Sequence, residues 1–133
     1  MRVDGRLVGA IEAGLLVLLG VAAGDGAGDA DALAGKVARL RIFPDEEARL
    51  DRSVLDTGGA VLAVSQFTLL ADTSKGNRPS FTKAAPPGEA ESLYGRFCAA
   101  LRDLDVPVAE GIFGARMEVE LVNAGPVTIV LDG

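Results

Sequence analysis

The chain has 133 residues, a formal charge of −6, no His, no Trp and a single Cys. Without His it has no Ser-His-Asp or Cys-His catalysis, no His-based metal site and no usual general base; one Cys allows neither an internal disulfide nor a multi-Cys zinc site. Hydrophobic residues make up 49% of the chain, enough to bury one continuous core in a single domain over 1–133, while the net acidity counts against broad charge-driven nucleic-acid binding, DNA included.

Taken in chain order, Arg2 to Val8 alternates around Asp4-Gly5 and predicts a hairpin. Leu15 to Val21 is a nearly unbroken apolar run, as expected of a strand buried on both faces. The longer run Ala13 to Ala23 contains two glycines and falls short of the roughly 20 residues a membrane span needs. No basic leader with a cleavage site precedes it, so the expectation is a cytoplasmic protein without a membrane partner. Asp29 or Asp31 is placed to cap a helix in which Leu33, Val37 and Leu40 recur at helical spacing. Arg41 to Phe43 reads as a short strand ending at Pro44, Asp45 to Asp56 as loop, and Gly58-Gly59 as a turn.

Ala60 to Leu70 carries the strongest strand pattern. Its alternation puts Leu62, Val64, Gln66 and Thr68 on one face, and Val61, Ala63, Ser65, Phe67 and Leu69 on the other. Pro86-Pro87 opens a second amphipathic helix with Leu93, Phe97, Leu101 and Leu104 on one side, and Cys98 beside that side reads as a buried structural thiol. Met117, Val119 and Leu121 alternate with Glu118 and Glu120 as a strand with one wet face, and Val127 to Leu131 reads as a last strand. Strands, helix, strands, helix, strands predict an α/β domain with sheet packed on sheet and helices outside.

Three features could carry chemistry. Ser65, Gln66 and Thr68 end an otherwise apolar strand; they fit either a strand meeting solvent or a strand end lining a pocket. Thr68 could serve as a nucleophile only with an activating base, and the chain offers no His. Lys75, Arg78 and Lys83 lie in a stretch from Thr73 to Lys83 with no acidic residue, which suits a solvated loop or a local patch for the phosphates of one RNA end. Gly125-Pro126 marks a turn or edge between strands.

These segments resemble a known family. Ser65-Gln66-Phe67-Thr68-Leu69 resembles the SQFTL signature of the D-aminoacyl-tRNA deacylases, and Asn123-Ala124-Gly125-Pro126-Val127-Thr128 resembles their NxGPVT signature. Gly76-Asn77-Arg78-Pro79-Ser80-Phe81, Phe113-Gly114-Ala115-Arg116-Met117 and Gly14 to Gly20 also look like family segments in the right order. The resemblance implies a homodimer of layered β/β/α domains, with two outer helices packed on β-sheets that form a barrel-like core. It also implies hydrolysis of the ester between a D-amino acid and the tRNA 3′ end, without metal or other cofactor. Gly125 and Pro126 would be joined by a cis bond and act as chirality selector, reaching into the partner subunit's pocket with their carbonyl oxygens facing the substrate amino group. A rigid wall there rejects L side chains by clash, leaves D side chains free to point outward, and admits achiral glycine, so mischarged glycyl-tRNA is a further expected substrate. Backbone N–H groups near Ser65 and Phe67 would hold the ester carbonyl or its oxyanion while the terminal ribose hydroxyl of the tRNA assists. Thr68 would be a site residue without being the nucleophile, Gln66, Phe113 and Met117 would line the pocket, and Lys75, Arg78 and Lys83 are candidates for phosphate contact.

The resemblance also implies an apolar first strand with a Gln-Arg-Val motif, beginning about a dozen residues ahead of Met1 and lacking here. Met1 falls where relatives have a small apolar residue, and a misassigned start codon, with a GTG (valine) read as the initiator, would account for it. Two other readings remain at this level. A non-catalytic module binding aminoacyl-tRNA ends or small ligands would retain charged tRNA without cleaving it. A generic esterase using Thr68 would lose activity on simple esters in Thr68→Val.

Overall fold

The computed structural model describes residues 1–133 and is built around a three-stranded parallel sheet. Strand β1 (Arg2–Val3) and β2 (Arg6–Leu7) form the expected antiparallel hairpin. Its turn residues, Asp4 and Gly5, sit at φ 50° and 77°, the left-handed pair that matches strand twist in a two-residue hairpin. The central sheet contains β3 (Gly14–Leu19), β6 (Ala60–Ser65) and β7 (Val108–Glu110), in the order β3-β6-β7. Helix α1 (Ala27–Arg39) lies between β3 and β6 in the chain, and helix α3 (Pro87–Asp103) lies between β6 and β7. A second ribbon pairs β4 (Phe43–Pro44) with β5 (Leu50–Arg52), and the short helix α2 (Val54–Thr57) follows it.

Strand β6 divides the core. Val61 and Ala63 face a cluster with Ala34, Val37 and Ala38 of α1 and Tyr94, Phe97, Cys98 and Leu101 of α3. Leu62 and Val64 face Met1, with Val8, Leu16, Met117 and Val119 packed around them. The expected alternation therefore holds from Val61 to Val64. The layers are the hairpin and the 117–119 segment, then the parallel sheet, then two helices. Phe97 and Leu101 are fully buried, and each such side chain contributes about 1.5–3 kcal/mol by leaving water. The Cys98 thiol is buried among them, and burial pushes it up to about 11. No helix is long and apolar enough to cross a membrane.

Several expectations are corrected. Strand β6 stops at Ser65, and Phe67–Leu70 is a 3-10 turn. Its ladder partner β3 ends at Leu19, whose carbonyl takes the Gln66 N–H at 2.8 Å, and beyond Gln66 the backbone bonds locally, with Leu69 N–H donating to the Gln66 carbonyl at 3.2 Å. Strand β3 lies at the sheet edge, and Leu18 is 46% exposed rather than covered on both faces. The stretch 45–56 is more than loop, because it carries β5 and α2. Ser53 and Asp56 cap α2 reciprocally: Asp56 accepts from the Ser53 N–H at 2.8 Å, and Ser53 Oγ accepts from the Asp56 N–H at 3.2 Å. Gly26 is the N-cap of α1, with Asp29 returning its carboxylate to the Gly26 N–H at 2.8 Å. Asp31 instead forms a two-point ion pair with Arg96 of α3, at 2.7 Å for both contacts.

The C-terminal segment departs furthest. Residues 117–121 keep the expected in-out burial as far as Glu120, yet their one ladder contact is a bridge between Arg2 and Glu118. Residues 127–131 join no sheet. A strand needs a neighbour for its N–H and C=O groups, and within one chain this segment has none beyond Arg2. The three sheets do not join into a closed barrel.

Candidate functional site

Strands β3, β6 and β7 run parallel, so their carboxyl ends lie together at Leu19, Ser65 and Glu110. Ligands of open parallel α/β sheets bind outside that end. The residues that follow are Gly20, Gln66 with the 3-10 turn, and Gly111 leading to Phe113. The Gln66 N–H donates to the Leu19 carbonyl at 2.8 Å, and Gln66 Nε2 donates to Thr68 Oγ1 at 2.5 Å. Phe67 and Thr68 open the turn, where the first N–H groups have no intrahelical acceptor. Gly20 lets the turn seat against β3. A Cβ there would meet Leu70 Cδ2 at 2.6 Å and Leu69 Cβ at 3.2 Å.

The basic stretch is brought to the same end. Ala23 N–H donates to the Lys83 carbonyl and Ala85 N–H to the Val21 carbonyl, both at 2.9 Å, tying the loop to the continuation of β3. Reciprocal backbone bonds between Asp72 and Ser80, at 2.7 and 2.9 Å, close the loop on itself. Hydrogen bonds from Ser74 hold the Asp72 carboxyl below the usual carboxylate range, with a smaller contribution from the Lys83 charge. Phe81 meets Phe67 edge to face at 5.0 Å, so the loop touches the 3-10 turn directly. Lys75, Arg78 and Lys83 are exposed, and none forms an ion pair.

Phe113 and Met117 lie in one segment but on opposite faces. Phe113 packs on the helix-side cluster, 6.4 Å from the Tyr94 ring, while Met117 packs on the other cluster. The hydroxyl of Tyr94 donates to the Ala63 carbonyl at 2.7 Å and accepts from the Gly111 N–H at 3.3 Å. It thereby joins α3 to β6 and to the exit of β7. Burial raises the Tyr94 phenol to about 12. Neither Tyr94 nor Gly20 was singled out from the sequence; a polar ring inside an apolar helix face and a glycine closing an apolar strand were the available signals.

Gly125 and Pro126 are joined by the expected cis bond and are exposed, with no hydrogen bond to residues 65–68 of the same chain. Asn123 brackets them: its Oδ1 accepts from the Val127 N–H at 3.3 Å, and its Nδ2 donates to Thr128 Oγ1 at 3.1 Å. No group of three or more Cys, Asp or Glu is placed to hold a metal ion. A separate concavity of about 430 Å³, lined by Glu12, Phe43, Thr57 and Gly58 among others, lies at the amino ends of β3 and β6 and contains no signature residue.

A family model described as D-Tyr-tRNA(Tyr) deacylase matches residues 1–132. The chain belongs to that family. It is 60% identical over 130 residues to the D-aminoacyl-tRNA deacylase of Deinococcus radiodurans, covering 98% of this chain and 90% of that protein. It is also 60% identical over 132 residues to the D-aminoacyl-tRNA deacylase of Ruegeria pomeroyi, covering 99% and 91%. Among solved structures, one described as c-Myc DNA unwinding element binding protein aligns with a TM-score of 0.91 at 38% identity, covering 99% of this chain and 90% of that one. A second, described as a probable eukaryotic D-amino acid tRNA deacylase, aligns at a TM-score of 0.58 and 18% identity over 76% of this chain and 74% of its own, and bears on the fold alone.

Proposed function

We propose that this chain is a D-aminoacyl-tRNA deacylase that works as a homodimer and discriminates by chirality. One observation carries the reading: the family match spans residues 1–132, a range that contains both signature segments. Water adds to the ester carbonyl, the bond to the tRNA ribose oxygen breaks, and free D-amino acid and tRNA leave. No His is available to move the proton. The terminal ribose hydroxyl of the tRNA assists, and the protein orients the reactants and stabilises the oxyanion through backbone N–H groups near Ser65 and Phe67. Thr68 is held by Gln66 Nε2 and shapes the site without attacking the ester. Phe113 on the helix side of the sheet and Met117 on its other side flank the site from opposite faces, and Lys75, Arg78 and Lys83 meet tRNA phosphates.

Gly125 and Pro126 serve the partner subunit's site, which their exposure and lack of bonds to the 65–68 segment of their own chain support. Exposed apolar side chains on the C-terminal segment and the site turn support a dimer. Val122 is 92% exposed and Val130 is 85%, with Leu121, Ile129, Phe67 and Leu69 also open. A partner strand along residues 117–131 would give that segment a ladder and bring the sheets toward a barrel-like closure. Mischarged glycyl-tRNA, lacking a side chain to clash, is a second substrate. The protein acts in the cytoplasm, where its substrate is made.

The test is incubation of the purified chain with D-Tyr-tRNA. Free D-tyrosine and uncharged tRNA are expected at catalytic protein concentrations. Retention of intact charged tRNA with no cleavage would replace the enzyme with a binding module.

A further inference from the structure

We infer that Asn123 is a positioning residue for stereochemical discrimination, acting through the Gly125-Pro126 tip. The inference rests on the reading that this tip faces the substrate. Ala124, Gly125 and Pro126 make no hydrogen bond of their own, and residues 119–133 belong to no ladder. The polar restraints across the tip are the two bonds from the Asn123 side chain, to the Val127 N–H at 3.3 Å and to Thr128 Oγ1 at 3.1 Å. Both partners lie just beyond Pro126, so a single side chain spans the tip and ties its two ends together.

The backbone shows why the tie falls there. Gly125 sits at φ +140°, and a Cβ on it would stand 3.0 Å from Val127 N and 3.1 Å from Val127 Cγ2. The chain is thus folded back onto Val127, whose N–H is the group Asn123 holds. A carboxamide suits the task because it accepts at one atom and donates at the other. Leu has a similar volume and does neither. The bonds are exposed and compete with water, so they add little to global stability. Their effect is on where two carbonyl oxygens point, and a displacement of about 1 Å at such a position costs up to about 100-fold in rate.

The test compares kcat/KM for D-Tyr-tRNA and L-Tyr-tRNA in Asn123→Leu, Asn123→Asp, Thr128→Val, Thr128→Ser and Gly125→Val, alongside melting temperature, dimer state and hydrogen exchange at the Val127 amide. Asn123→Leu is expected to lower the D-over-L ratio about tenfold or more, to speed exchange at Val127, and to leave melting and assembly unchanged. Thr128→Val falls between Asn123→Leu and the parent. Asn123→Asp and Thr128→Ser recover the ratio, since the Thr128 hydroxyl can donate to a carboxylate and Ser keeps the accepting oxygen. If Gly125→Val collapses the ratio while Asn123→Leu leaves it intact, the inference is wrong and the tip still selects. If Gly125→Val also leaves the ratio intact, the reading of the tip fails and the inference falls with it. Loss of melting temperature in step with loss of ratio would make Asn123 a structural residue and overturn its assigned role.

Discussion

Removing one oxygen atom from Tyr94 tests how the site is anchored to the core. Tyr94 is only 4% exposed, and its hydroxyl serves the Ala63 carbonyl at 2.7 Å and the Gly111 N–H at 3.3 Å. Tyr94→Phe keeps the ring and its packing beside Phe113 but leaves both backbone groups short of a partner away from water. A buried polar group orphaned in this way costs about 1–3 kcal/mol. The longer Gly111 bond lies at the weak end of that range, so the pair amounts to about 2–4 kcal/mol. With an unfolding entropy of about 2.1 cal/mol/K per residue, this lowers Tm by about 7–14 °C. The assay is urea denaturation with a matching thermal melt at one fixed protein concentration, since dimer assembly makes Tm concentration-dependent. The midpoint is expected to fall with an unchanged m value. A loss below about 0.5 kcal/mol would mean that water replaces the hydroxyl at both groups and that Tyr94 does not anchor the exit of β7.

Three further outcomes follow from the same geometry. Gly20→Val places atoms where Leu70 and Leu69 already sit, so kcat/KM on D-Tyr-tRNA is expected to fall at least about tenfold as the 3-10 turn shifts; unchanged kinetics would detach that turn from catalysis. Replacing Lys75 and Arg78 together with Ala is expected to raise KM for charged tRNA and to flatten its log-log salt dependence by about 0.7–0.9 for each phosphate the protein no longer neutralises, while an unaltered slope would place the tRNA elsewhere. Alkaline stability follows Tyr94 and Cys98, whose protonated forms the fold favours by burial: their ordinary values of 10.0 and 9.0 rise to about 12 and about 11. That contribution is complete below about pH 9 and is lost as pH climbs through 9 to 12; denaturation at pH 8 and pH 10.5 is expected to show the fall, with a smaller fall in Cys98→Ala.

Local periodicity made much of the fold legible. The hairpin around Asp4-Gly5, helix α3 with Phe97 and Leu101 inward, and the two-faced strand from Val61 to Val64 all follow from short-range pattern. What failed did so where structure depends on neighbours. The apolar pattern of Ala60 to Leu70 continues past Ser65, but the ladder cannot, because β3 ends at Leu19 and Gly20 admits the turn instead. Met117 to Leu121 alternates as a strand would, yet only Arg2 pairs with it inside the chain. Asp31 satisfies the preferences of a helix cap, but Arg96 is a stronger partner, and that pairing is set by how α1 meets α3. The candidate site was legible, as an expectation, through its two signature segments. The roles of Asn123, Gly20 and Tyr94 were not, because each depends on an arrangement that only the folded backbone creates.

The central claim is chiral discrimination in ester hydrolysis, and the most direct measurement is deacylation of D-Tyr-tRNA and L-Tyr-tRNA side by side by the same preparation. Rapid release of the D-amino acid with the L ester left intact is the predicted result. Equal hydrolysis of both esters, or protection of both, would contradict it.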